Sequence, residues 1–252
     1  MSPACKHCYA ENWAKRVGKR VWGSGSERRF FTDQHWNEPR KWDREAASAG
    51  ERKRVFCASM GDVFEARKDL NPWRERLWLL IEETPNLDWL LLTKRPQRFA
   101  AYLPWSRLPD NIWLGATVEN QTWAEKRIDS LLDIDASVRF LSCEPLLGRI
   151  NLGGWIEKGL DWVIAGGESG PKARPTSPVW VRFLRDQCLE NDVPFHFKQW
   201  GHWAPEPQGS ARNVRQIAIR DDEAGAEIVL WALGKSRAGR VLDGREWDGV
   251  PS

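Results

Sequence analysis

Short apolar runs alternate with helical patterns along most of this chain, and that alternation limits the folds it can adopt. Six runs are almost continuously apolar, which is typical of strands buried on both faces of a sheet. The predicted strands are Arg54–Ser59, Trp89–Thr93, Ile112–Thr117, Arg139–Cys143, Trp162–Ala165 and Pro194–Lys198. Helical stripes separate several of them, such as Leu77, Leu80 and Ile81 before the second strand. The pattern predicts an α/β fold with parallel strands joined by right-handed crossovers.

One more helical stripe begins close to the N-terminus, without a strand before it. It consists of Ala10, Trp13, Ala14, Val17 and Val21. A parallel α/β unit has a strand before each helix, and the residues ahead of this stripe are too few to form one. We therefore expect a partial parallel (β/α) barrel whose first strand is missing from this chain.

The polar and turn-rich segments predict the domain organisation. Residues 1–210 are expected to form the partial barrel, with a long polar excursion at 22–53 that is punctuated by Gly, Pro and Ser. Residues 211–252 end in the turn-rich stretch GRVLDGREWDG. We expect them to form a small C-terminal extension packed on the same domain.

Length and hydropathy exclude a membrane protein. The 252 residues can bury a substantial core, and 41% of them are hydrophobic. No apolar run approaches the roughly 18 residues that a bilayer span requires, and the N-terminus lacks a signal-peptide pattern. We expect a cytoplasmic protein with no membrane partner. The net charge of +3 is too small to indicate nucleic-acid binding by itself.

The five cysteines are odd in number and mostly scattered, which favours reduced thiols over a disulfide framework. Cys5 and Cys8 form a CxxC pair, which can bind a metal, hold part of an iron–sulfur cluster or cycle as a redox dithiol. Two thiolates cannot complete a zinc site or a cluster, so further ligands are expected elsewhere in the chain or upstream of it. Cys57, Cys143 and Cys188 are predicted not to be those ligands, and of the three only Cys143 ends a predicted strand.

Polar side chains follow every predicted strand. In a parallel sheet or barrel the carboxyl ends of the strands form one face, where ligands bind. The sequence therefore predicts a polar site on this face, with Cys5 and Cys8 beside Glu144, Glu168 and Lys198. A solvated turn or a helix cap is the structural alternative at each position. The other residues assigned to the site are Ser59, Asp62, Thr93, Lys94, Glu119, Asn120, Gly166, Gly167, Ser169 and Gln199.

Two histidines near these positions are interpreted as structural. His7 lies between the cysteines and is taken as a neighbour of the pair rather than a ligand. His196 lies within an apolar strand and is predicted to be a core residue with its hydrogen bonds satisfied.

The chain resembles the phage Gp37/Gp68 family, whose members are bacterial and phage proteins of unknown function. The resemblance extends in order over nearly the whole chain. The matching pieces are SPACKHCYAE, SMGDVF, LLTKRPQR, IWLGATVEN, RFLSCEPLLG, LDWVIAGGESGPKARP, PFHFKQWG and GRVLDGREW.

The resemblance implies a radical S-adenosylmethionine type of fold and chemistry. Family members carry one more cysteine before the CxxC, in a loop similar to the one that holds a [4Fe–4S] cluster in radical S-adenosylmethionine enzymes. It implies that Cys5 and Cys8 are metal ligands and that Tyr9 lies near the adenine of the cofactor. Strand position then assigns Glu144, Glu168 and Lys198 to catalysis and the remaining strand-end residues to cofactor binding.

This chain departs from the family pattern because Met1 falls inside the loop and the first cysteine is absent. We expect the true start to lie upstream, with one more strand and a third cysteine, and the chain as given to be deficient in cluster. The expected cofactors are a [4Fe–4S] cluster and S-adenosylmethionine.

Two alternatives to an enzyme stay open. One is a metal-stabilised module that binds nucleic acid or a partner protein without catalysis. The other is a truncated, inactive fragment of the enzyme. The substrate cannot be read from the residues, although nucleic acid and nucleotides are candidates.

Overall fold

Six parallel strands form the main sheet of the computed structural model, which describes residues 2–16, 21–23, 25–205, 214–221 and 225–251. The strands pair in sequence order and curl into a half-barrel. Each predicted strand is present, and no end is shifted by more than two residues. Their bounds are β1 Lys53–Cys57, β2 Leu87–Thr93, β3 Ile112–Thr117, β4 Val138–Cys143, β5 Trp162–Gly166 and β6 Phe195–Gln199. The α/β class and the parallel arrangement predicted from the alternation are confirmed.

Helices follow the strands and cover the outer face of the sheet. The longer ones are α1 Tyr9–Arg16, α2 Asp33–Ala49, α3 Asn71–Glu82, α5 Gln121–Leu132 and α7 Pro178–Glu190, and the single-turn helices are α4 Phe99–Tyr102, α6 Gly154–Glu157 and α8 Lys235–Ala238. The large core lies between them and the sheet, around side chains such as Leu91, Leu114 and Leu141. Its apolar contacts hold the strand ends in fixed positions.

The predicted polar excursion at 22–53 contains a regular helix that the sequence reading missed. Helix α2 buries Pro39 and Ala46 and packs against β1 and β2. Its exposed face is polar, and a proline inside a helix removes a hydrogen bond, so propensity alone argues against it. The packing of the narrow face that contains Pro39 and Ala46 therefore outweighs the low helix propensity of this segment.

The inner face of the half-barrel has an apolar lower part and a polar upper part. Trp113, Phe140 and Trp162 form its apolar cluster, together with Leu90 and Val138. Gly115 makes room for this cluster, since a Cβ there would lie 2.3 Å from the Phe140 ring. Side chains alternate along a strand, so residues two positions further along face the same way. Thr117, Ser142 and Glu144 therefore continue this face toward the carboxyl ends.

The chain beyond β6 forms a second, antiparallel sheet of three strands in the order β7-β9-β8, which comprises β7 Trp203–Ala204, β8 Gln216–Asp221 and β9 Ala226–Ala232. The C-terminal residues then return to β6, where Gly249 N donates to Phe195 O at 3.0 Å. Trp162 Nε1 donates to Gly249 O at 2.8 Å, and Val250 packs on the inner apolar cluster. The tail thus covers one edge of the half-barrel. Within the described ranges, no helix has the length and apolar character needed to cross a membrane.

Candidate functional site

The N-terminal residues Ser2–Cys8, here called the cysteine loop, lie at the carboxyl ends of the parallel strands. The loop contains a single 3-10 turn, Pro3–Cys5, and leads directly into α1. Two carboxylates that follow different strands bind it: Glu119 after β3 and Glu168 after β5. Both carboxylates are buried. This is the face on which ligand sites of parallel α/β folds are built.

Glu119 is fully buried and joins the start of the cysteine loop to α5. One carboxylate oxygen accepts hydrogen bonds from the Ser2 hydroxyl and from Ala4 N, the latter at 3.2 Å. The other oxygen accepts from Arg127 at 3.0 Å, and the same Arg127 nitrogen donates to Thr117 O at 2.6 Å. Arg127 is 3% exposed. A buried charge needs a partner, and Glu119 and Arg127 supply one to each other. Arg127 Nε has no hydrogen-bond partner among the described residues.

Glu168 binds the middle of the cysteine loop and is itself held by Arg174. Arg174 donates to the two carboxylate oxygens at 2.8 and 2.6 Å and also donates to Pro3 O at 3.0 Å. His7 Nδ1 lies 3.3 Å from Glu168 Oε2. Burial alone would raise the pKa of Glu168, but the hydrogen bonds from Arg174 and His7 outweigh it and hold the pKa below its ordinary value. Glu168 is thus an ionised anchor, and His7, interpreted from sequence as a mere neighbour, is one of its partners.

Charged groups from two strand ends lie near Cys5. Burial raises the pKa of the Cys5 thiol, and the nearby Cys8 and Glu119 raise it further. Lys94 and Arg95, which follow β2, act in the opposite direction. Cys5 is therefore within electrostatic range of the second cysteine and of two cations. The cations offset burial only in part, so the pKa of Cys5 stays above its ordinary value.

Asp62 ties the loop after β1 to the loop after β2. It accepts hydrogen bonds from the Thr93 hydroxyl at 2.8 Å and from Arg95 at 2.6 Å. Its other donors include Phe64 N, at 3.0 Å. Asp62 and Thr93, both assigned from sequence to cofactor binding, are therefore engaged in holding the cationic loop that faces Cys5.

Glu144 and Lys198 form a second, more open pair on the inner face. Lys198 Nζ lies 3.0 Å from Glu144 Oε2, and the Ser142 hydroxyl is 3.4 Å from the same oxygen. The Lys198 side chain is 54% exposed and that of Glu144 18%. Gly166 leaves the space that the carboxylate occupies, since a Cβ there would be 2.7 Å from Glu144 Oε1. Within the described part of the chain, neither Glu144 nor Lys198 forms a hydrogen bond or an ion pair with the cysteine loop.

Three buried polar atoms near this pair lack hydrogen-bond partners within the described part of the chain: Thr117 Oγ1, Gln199 Oε1 and His196 Nδ1. Such atoms are rare in folded proteins and mark places where a further group can bind. The expectation that His196 is satisfied is wrong, because Asp248 lies 3.6 Å away, beyond hydrogen-bond distance.

Other residues assigned to the site have structural contacts. Asn120 caps α5 by accepting from Trp123 N at 3.3 Å. The space beside Gly167 is filled by the Trp200 carbonyl, which would be 1.9 Å from an added Cβ. Ser59 is exposed in the loop after β1, and Ser169 is half-buried after β5. The backbone of Tyr9 begins α1, but its side chain lies outside what the structure describes.

The other three cysteines differ from Cys5 and Cys8 because they belong to, or pack against, the core between the sheet and the helices. Cys143 and Cys188 are buried in the outer core, and Cys57 packs against it. Burial raises the pKa of Cys57 and of Cys188 to about 12, and raises that of Cys143 well above its ordinary value. Among the residues that the structure describes, no three His, Cys, Asp or Glu side chains are grouped to hold a metal.

Sequence reasoning missed Arg127 and Arg174, the two cations that hold the anchoring carboxylates. The sequence does indicate a buried role for Arg127, because this residue falls on the apolar stripe of α5 with Ala124, Ile128 and Leu131. An arginine on an apolar stripe is rarely unpaired. Arg174 lies in an irregular loop and has no comparable signal.

Comparison of the sequence with known protein families identifies a matching family model. A family model described as "Protein of unknown function (DUF5131)" matches residues 1–251. No curated protein matches the chain. No solved structure matches it either.

Proposed function

The chain belongs to the DUF5131 family of proteins of unknown function, and on that premise we propose that it is a radical S-adenosylmethionine type of iron–sulfur scaffold. In this proposal Cys5 and Cys8 provide two thiolate ligands for iron.

The observation that supports this proposal is the double anchoring of the cysteine loop. Glu119 and Glu168 are buried carboxylates on separate strands, and both bind the few residues around Cys5 and Cys8. Burying two charges is costly unless each is paired, and each has its own arginine. Two buried carboxylates, each paired with an arginine, thus hold one short loop and place its two thiols in a set position.

The residues present do not by themselves complete a [4Fe–4S] site. Such a cluster is held by three or four cysteine thiolates, and the loop has two. Cys143 is fully buried in the outer core, so it does not supply the third. His7 is engaged by Glu168. The proposal therefore requires a third ligand from outside the described residues.

The inner face offers a place for the organic part of a cofactor or substrate. Trp113, Phe140 and Trp162 form an apolar floor, and the open Glu144–Lys198 pair lies above it. The unpartnered Thr117 Oγ1 and Gln199 Oε1 provide further polar contacts. An apolar floor with a few polar groups is typical of small-molecule sites. S-Adenosylmethionine would supply the radical chemistry when bound, and the protein's part is to bind and orient it.

Anaerobic reconstitution with iron and sulfide tests the proposal. We expect low loading in the unaltered chain, and loss of that iron in Cys5→Ser and Cys8→Ser. Addition of a small thiol as an external third ligand should raise loading in the unaltered chain but not in these variants. The Cys143→Ser variant is the matched control and should keep the same iron content.

Cofactor affinity separates this function from the alternatives. Calorimetry with S-adenosylmethionine on the loaded protein should show binding that weakens in Glu144→Gln and Lys198→Met. Iron binding that is unchanged in Cys5→Ser and Cys8→Ser contradicts the proposal. Stable zinc in place of iron, with no affinity for the cofactor, instead supports a metal-stabilised binding module.

A further inference from the structure

A partly exposed group of aromatic rings and one arginine lies on the segment that links α1 to α2 and on the neighbouring helices. We call it the aromatic strip and define it as Trp13, Arg29, Phe30, Phe31 and Trp73. Phe30 and Phe31 are 38% and 51% exposed. Single exposed rings need no explanation, but a contiguous group of them indicates a binding surface.

The rings of the strip are held in fixed orientations. Phe30 stacks on Trp73 with centroids 4.1 Å apart and planes 6° from parallel. Trp36 of α2 supports Trp73 from 5.9 Å. The backbone beside Phe30 is tethered through Arg28, which forms an ion pair of 2.6 Å with Glu65. The second exposed ring, Phe31, lies 4.2 Å from the His35 ring. Both exposed rings therefore have a packed neighbour on one side, which lowers the entropy cost of binding a partner.

Arg29 lies between two rings of the strip. Its guanidinium is 5.4 Å from the Trp13 ring and 5.5 Å from the Phe31 ring. It forms no ion pair with any carboxylate in the described residues. Arg29 is exposed. Its charge is thus open to an anion beside the aromatic rings.

The charge of this part of the chain matches a polyanion. Residues 1–32 contain seven lysines and arginines and two glutamates, a net charge of +5. The other 220 residues contain 31 lysines and arginines and 33 acidic residues. The modest overall charge therefore conceals a basic N-terminal segment that carries most of the strip.

We propose that the aromatic strip binds single-stranded nucleic acid, with bases stacked on Phe31 and Phe30 and a phosphate beside Arg29. Exposed aromatic faces next to cations are the usual platform for single strands, because every base has a face that stacks and every linkage has a charge. A duplex hides its base faces and offers no such contact. The strip includes Trp13 of α1, the helix that directly follows Cys8.

Fluorescence anisotropy with labelled oligonucleotides of about 12 nucleotides tests the proposal, since single-strand sites span roughly 4–16 nucleotides. The protein is used without iron, so the result is independent of the function proposed above. We expect the single strand to bind more tightly than a duplex of the same sequence. Phe31→Ala should weaken binding by about 5-fold or more, whereas Phe31→Trp should preserve it.

Salt dependence tests the role of Arg29. Arg29→Gln should reduce the slope of log affinity against log salt by about 0.7, the value for one phosphate contact on a single strand. The matched controls are Arg107→Gln, an exposed arginine elsewhere, and Leu189→Ala, which removes a side chain that is 50% exposed on α7. Both controls should bind like the unaltered chain.

Several outcomes contradict this assignment. They are equal affinity for single and double strands, equal weakening in the controls, and binding that is unchanged in both Phe31→Ala and Arg29→Gln. Binding to anionic phospholipid vesicles without binding to oligonucleotides would assign the strip to a membrane surface instead. Circular dichroism of each variant checks that the fold is retained.

Discussion

Two sets of strand ends on the same face of the sheet differ in the burial and the partners of their charged side chains. Glu119 and Glu168, after β3 and β5, are buried, paired with arginines and bound to the cysteine loop. Glu144 and Lys198, at the ends of β4 and β6, pair with each other, and Lys198 is 54% exposed. All four residues are charged side chains at the carboxyl end of a strand, so the local sequence does not separate them.

The difference shows that position at a strand end does not define a functional role. The assignment of Glu168 to catalysis stays a prediction, and in the structure its carboxylate accepts hydrogen bonds from Arg174 and lies beside His7. The Glu144–Lys198 pair is more accessible and lies beside atoms with unused hydrogen-bonding capacity. The first set anchors the cysteine loop, and the function proposed above assigns the second set to ligand binding.

The largest expected effect is from Glu119→Gln. This change leaves the Arg127 charge buried without its counter-ion, so the free energy of unfolding should fall by about 3–5 kcal/mol. Urea denaturation followed by circular dichroism measures it. Glu125→Gln, at an exposed position of α5, is the control and should change stability by less than about 0.5 kcal/mol. A loss below about 1 kcal/mol for Glu119→Gln would show that the buried pair is not an anchor.

A smaller loss is expected from Glu168→Gln. Removing an ionised acceptor of several hydrogen bonds should lower the unfolding free energy by about 1.5–3 kcal/mol. It should also increase amide hydrogen exchange in residues 2–8, because His7 and Arg174 lose their common partner. Glu190→Gln, exposed on α7, is the control. Unchanged exchange in the loop would separate Glu168 from the anchoring role.

The pH dependence of this anchor has a defined sign. The pKa of Glu168 is lower in the folded state than its ordinary value of 4.5. Its stabilising contribution is therefore complete above pH 4.5 and is lost as the pH falls through the lowered pKa. Glu168→Gln should remove this part of the acid sensitivity.

His196 on the inner face should show the next largest effect, confined to mildly acidic pH. Burial lowers its pKa from 6.5, and Arg240 lowers it further. The unfolded chain then binds the proton more readily, so stability should fall as the pH drops below about 6.5. The fall in melting temperature between pH 7.5 and 5.5 should be smaller in His196→Gln than in the unaltered chain. His35→Gln, at an exposed position, should retain the full dependence.

The smallest effect is expected from Glu144→Gln. Its partner Lys198 is largely exposed, and ion pairs of this kind contribute about 0–1 kcal/mol. Urea denaturation should therefore give nearly the stability of the unaltered chain. A loss as large as that of Glu119→Gln would remove the distinction between the two sets of strand ends. If Glu144→Gln keeps its stability but loses affinity for the ligand, the result supports the distinction.

Some features of the molecule could be predicted because they depend on local patterns. The six strands follow from continuous apolar runs, and α3, α5 and α7 follow from apolar stripes at helical spacing. Helix α2 could not be predicted in the same way. Its polar composition and Pro39 argue for a loop, and only packing on β1 and β2 selects the helix.

By itself, the sequence determined the parallel sheet and the row of polar residues at its carboxyl edge, because both depend on neighbouring residues along the chain. The tertiary structure alone decided which carboxylates hold the cysteine loop and which remain open. Glu119 meets Ala4 across 115 positions of sequence, and Glu168 meets His7 across 161. Burial and pairing with Arg127 and Arg174 then determine the charge state and the role of each carboxylate. These contacts exist only after the chain has folded, and no local pattern specifies them.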